Sequence, residues 1–76
     1  MKMSEAKNAL KENFFDFLEI RKNPGNINEY IVLLYGYDGK SFMLAHENDS
    51  VLTSPELEQL VSILKDIGFK KARIYF

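Results

Sequence analysis

Cysteine is absent from this 76-residue chain. It therefore has no disulfide framework, no thiolate zinc site and no cysteine nucleophile. A dominant charge is missing too, because ten basic side chains stand against eleven acidic ones for a net charge of −1. That balance excludes a strongly basic binder of nucleic acid or of membrane surfaces. No apolar run approaches the roughly 18 residues that a membrane-spanning helix needs. The opening segment Met1-Lys2-Met3-Ser4-Glu5 is polar, without the apolar stretch of a signal peptide. Together these absences lead to the expectation of a soluble cytoplasmic protein. Internal repeats, low-complexity tracts and linker-like stretches are lacking as well.

What is present is enough apolar material for one core. Leu, Ile, Val and Phe make up about a third of the chain, well above the roughly 20% below which chains stay disordered. The length suits a single domain over residues 1–76.

The plainest element lies between residues 53 and 69. Thr53 and Ser54 suit an N-cap, Pro55 suits a first turn, and Glu56 completes a Thr-x-x-Glu capping box. Leu57, Leu60, Val61, Leu64 and Ile67 then recur at helical spacing, and Gly68 ends the helix in a left-handed cap with Phe69 folding back. A hairpin follows from the apolar run Tyr30–Tyr37, the shorter run Ser41–His46 and an Asp38-Gly39 pair fit for a type I′ turn between them. From Lys71 to Phe76, charged or tyrosine positions alternate with Ala72, Ile74 and Phe76, the pattern of a half-buried strand. The N-terminal third reads two ways. Apolar residues at 6, 9, 10, 14, 17 and 18 follow a helical stripe that Asn13 interrupts, with a stop at Arg21–Gly25. Alternatively, residues 14–22 form a strand turning through Asn23–Asn26.

The helical reading gives an α+β fold, ordered helix-strand-strand-helix-strand, with two helices on one face of a small, mostly antiparallel sheet. The strand alternative adds residues 14–22 and makes the sheet four-stranded. A right-handed crossover sets the last strand beside Tyr30–Tyr37. A two-residue turn at Asp38-Gly39 pairs Tyr35 with Phe42, Leu33 with Leu44 and Ile31 with His46 on one side. Tyr30, Val32, Leu34, Met43 and Ala45 then share the other side. Two helices cover only about one face of such a sheet. These five residues are therefore the expected partner-binding patch, serving either a second copy of the chain or a larger protein.

Chemistry-bearing patterns are sparse. His46 is the only histidine, and His46-Glu47-Asn48-Asp49 lacks the ligand spacing of a metal loop. Carboxylates are spread over helix faces with no catalytic pair, and no serine stands in a nucleophile elbow. Gly36 and Gly39 belong to the hairpin and precede no helix, so they form no phosphate loop. No catalytic residue, metal ligand or cofactor is expected. Lys70, Lys71 and Arg73 with Tyr75 offer a second reading, weak nucleic-acid binding along the final strand. The leading expectation is a non-enzymatic protein-interaction module.

Overall fold

Asn13 decides how the N-terminal third folds. In the computed structural model, which describes residues 1–76, helix α1 spans only Met3–Lys11. Asn13 adopts a left-handed φ of 55°. Its N–H donates to the Leu10 carbonyl while the Phe14 N–H reaches back to Ala9, at 3.1 Å each. This is a Schellman closure with asparagine in place of the usual glycine. The residue that interrupts the helical stripe is the stop itself. The chain then runs as strand β1, Phe15–Asn23, so the strand alternative holds and the long N-terminal helix does not.

Strand β2, Asn26–Gly36, folds back antiparallel on β1, pairing Leu18 with Leu34 and Ile20 with Val32. A short β3, Ser41–Met43, and a two-residue β4, Thr53–Ser54, both lie along the other side of β2. Helix α2, Leu57–Ile67, leads to β5, Arg73–Ile74, which runs parallel to β1 at Glu19 and Ile20. The sheet order is β3-β2-β1-β5, with β4 on β2 beyond β3. The final strand is thus beside β1, one position away from the place expected next to Tyr30–Tyr37. That place is already occupied by β1 once residues 15–23 join the sheet.

The β2–β3 turn differs by one residue from the expected type I′ loop, with large consequences. Only Gly39 takes a positive φ, 84°. The Gly39 N–H donates to the Gly36 carbonyl, and the Gly36 N–H to that of Lys40. The loop is therefore Tyr37–Gly39, a tight turn followed by a left-handed glycine. Register moves accordingly, with Leu33 opposite Met43 and Leu34 opposite Phe42. A one-residue slip exchanges the faces of every side chain in the shorter strand.

The start of α2 is also later than expected. Thr53 donates its hydroxyl to Glu29 at 2.7 Å, and Ser54 Oγ accepts the Glu56 N–H at 3.0 Å. The capping box is thus replaced by strand pairing and a serine turn. The far end matches expectation: Gly68 has φ 121°, its N–H donates to Leu64, and Phe69 folds back against the core. Both helices lie on one face of the sheet, where Ala6, Leu60 and Leu64 pack with Leu18, Ile20, Val32, Leu34, Leu44 and Leu52. No helix is long and apolar enough to cross a membrane.

Candidate functional site

The opposite face of the sheet has no helix over it. Alternation in β1 sends Phe17, Glu19 and Arg21 to this side. Their partners across the ladders are Tyr35, Leu33 and Ile31 on β2, Met43 on β3 and Arg73 on β5. Tyr75 continues the last strand, its N–H donating to the Ile20 carbonyl at 2.9 Å.

These side chains interlock in two groups. The rings of Phe17 and Tyr35 stack at 4.5 Å with 16° between their planes, and the Arg73 guanidinium lies 4.0 Å from the Phe17 centroid. Phe17 is thereby sandwiched between a cation and a second ring. The Tyr35 hydroxyl donates to Glu19 Oε1 at 3.0 Å, and Arg21 Nε stands 3.8 Å from the same oxygen. Glu19 is only 9% exposed, so a carboxylate is nearly buried on a helix-free face by its own neighbours. Burial pushes the Tyr35 phenol above its ordinary value, and the Glu19 carboxylate beside it adds to the rise. Arg21 also lies 5.4 Å from the Tyr75 ring centroid, closing the second group.

Beside this layer runs an apolar groove of about 450 Å³. Ile31 and Leu33 form its floor, Met43 stands on one side, and Tyr75 and Phe76 stand on the other. Arg21 and Lys22 line it as the charged members. Ile31 is 3% exposed, whereas Met43, Tyr75 and Phe76 are 40%, 45% and 85% exposed. Large apolar surface thus borders a basic rim.

Of the five residues expected to form the patch, Met43 alone is exposed on this face. Ala45 is buried where it bridges Lys2 and Val51, whereas Val32 and Leu34 are fully buried under the helices and Tyr30 packs against the same core. Their assignment to the uncovered side is corrected by the pairing of β1 with β2 and by the shifted hairpin. Arg73 and Tyr75 reach the open face. Lys70 and Lys71 do not join them, standing instead in the exposed segment between α2 and β5. His46 is exposed, and no three metal-ligating side chains gather anywhere in the fold. Glu47 is engaged by Ser4, whose N–H and hydroxyl both donate to its carboxylate.

Ile31, Leu33 and Tyr35 were expected on the opposite side from the patch and lie instead on the open face, and Phe17 and Phe76 were not expected at a site. A signal for them exists in β1, where Glu19 and Arg21 alternate with Leu18 and Ile20 and mark the open side. Comparison with protein-family models, curated proteins and solved structures returns no match.

Proposed function

We propose that this chain is a non-enzymatic docking module that holds a protein partner in the groove between Met43 and Tyr75. The observation carrying this reading is the exposed apolar surface of Met43, Tyr75 and Phe76 on the face that no helix covers. Contiguous apolar surface rimmed by charge is the usual mark of an interaction site. The rim also states the partner's chemistry. Arg21 and Lys22 are cationic, and Glu19 is already engaged by Tyr35 and Arg21. A segment with apolar side chains flanked by carboxylates complements this arrangement. A second copy of the chain complements it less well, because its own groove carries the same two cations. Of the residues that favoured a homodimer, Tyr30, Val32 and Leu34 are committed to the core and Ala45 is buried. Cytoplasmic residence belongs to the same proposal, since a cysteine-free chain needs no oxidising compartment.

Nucleic-acid binding through Lys70, Lys71, Arg73 and Tyr75 has less support. Base stacking requires free ring faces. Those of Phe17 are taken by Arg73 and Tyr35, and Arg21 sits over Tyr75. A net charge of −1 gives little long-range attraction to a polyanion.

Random-peptide display against the immobilised chain tests the proposal. Enriched peptides are expected to share apolar residues flanked by Asp or Glu, and to lose binding to Leu33→Asp and Met43→Asp variants. Peptides that bind both variants undiminished, or a chain that enriches none, would overturn it.

A further inference from the structure

A second cavity, of about 570 Å³, opens at the other edge of the fold. Four consecutive residues of β1, Phe15 to Leu18, line it. Successive strand side chains point to opposite faces, so a cavity touching four in a row runs along the strand's edge. That edge is free because β5 pairs with β1 only at Glu19 and Ile20. The opposite wall is the segment from Gly68 to Arg73, again consecutive. The Gly68 cap turns the chain out of α2, and the stretch that follows stands off from β1 and leaves the slot.

Its chemistry is divided. Leu10, Phe15 and Phe69 supply apolar lining, with the two phenylalanine rings 5.5 Å apart. Lys70, Lys71 and Arg73 supply three cations against the single carboxylate of Asp16. Arg73 is held in place by its position over the Phe17 ring. The volume is that of an ordinary small-ligand pocket, roughly 300–1,000 Å³.

We propose that this slot binds an amphipathic organic anion. The apolar body lies against Leu10, Phe15 and Phe69, and its carboxylate or phosphate faces Lys70, Lys71 and Arg73. Charge-assisted hydrogen bonds beside an apolar wall give such a ligand both orientation and affinity. The site is separate from the groove at Met43, so it stands whatever that groove holds.

Anilinonaphthalene sulfonate, a fluorescent aromatic anion, is the first probe, titrated against the full chain. Decanoate and decyl phosphate then compete in separate arms, which distinguishes a carboxylate from a phosphate head. Decyltrimethylammonium carries the same tail with the opposite charge and serves as the contrast. At least one anionic amphiphile is expected to displace the probe, and the cationic one is not. The double variant Lys70→Glu, Lys71→Glu should weaken binding by about tenfold or more, while Met43→Asp leaves it unchanged. Because the double variant alters only exposed positions, its far-UV circular dichroism should match the parent. Should that variant fail to fold, amide shifts in the parent decide, and the displacing anion must move Phe15–Leu18 and Gly68–Arg73. Displacement by the cationic amphiphile as readily as by the anions would overturn the proposal. So would undiminished binding by the folded double variant, shifts confined to other residues, or no probe binding at all.

Discussion

Glu47 fastens the first turn of α1 to the loop that follows β3. One carboxylate oxygen accepts the Ser4 N–H at 3.0 Å and the other accepts the Ser4 hydroxyl. Both bonds hold the Glu47 carboxyl below the ordinary glutamate range, helped by the charge of Lys2 and opposed by slight burial. A carboxyl depressed in the folded state adds stability that is complete above its unfolded value and is lost as pH falls through the folded one. Acid should therefore release the α1 terminus first. Amide exchange at Ser4 should accelerate as pH drops below about 4, relative to the chemical rate expected at each pH. In Glu47→Gln, which cannot ionise, this acid-dependent step should vanish. An unchanged acid profile in that variant would show that the bonds to Ser4 contribute nothing. Neither Ser4 nor Glu47 stands out in the sequence, because 43 residues separate them. An isolated bridge between Lys2 and Ala45, with the Met1 and Met3 backbone bonded to Ala45, brings them together.

Elements were legible where local chemistry agrees with tertiary placement. The end of α2 was readable because Gly68 and Phe69 form the cap from adjacent residues. The final strand was readable in place but not in extent, burial or neighbour. Only Arg73–Ile74 pair with β1 and all of residues 71–76 are exposed, so no inward side of Ala72, Ile74 and Phe76 forms. The N-terminal third was ambiguous because Phe14, Phe17 and Leu18 follow a helical stripe while Phe15 and Ile20 fall off it. Asn13 resolves it by leaving α1 in a left-handed conformation, which asparagine tolerates far better than branched residues. Asn13→Gly should accordingly keep or raise the urea unfolding midpoint. Asn13→Val should lower stability by about 1–2 kcal/mol, since a left-handed conformation costs a β-branched residue roughly that much. Equal midpoints for the two variants would contradict this role. The same sensitivity governs the β2–β3 hairpin. Asp38-Gly39 correctly marks a turn, but a loop of three residues in place of two decides whether Phe42 or Met43 faces the helices. Nothing local in the run Ser41–His46 records that choice, because Phe42, Met43 and Leu44 are all apolar.

At the scale of the molecule, a sheet clothed on one side divides the apolar residues into two populations. Those under the helices form the core, and those on the bare face pack among themselves or stay exposed. Domains hold roughly 0.05–0.15 kcal/mol per residue of net stability, so a chain this short tolerates little loss from its core. Leu34 is fully buried between β1 and the helices, and a carboxylate there loses a packed side chain and gains an unpaired buried charge. Met43 lies opposite Leu33 on the open face, 40% exposed, where an aspartate stays in water. Urea unfolding of Leu34→Asp and Met43→Asp side by side, followed by far-UV circular dichroism, separates the two populations directly. Leu34→Asp should show no folded baseline, while Met43→Asp should unfold with a midpoint close to the parent. A folded Leu34→Asp chain together with an unfolded Met43→Asp chain would reverse the two faces and remove the basis for docking at Met43.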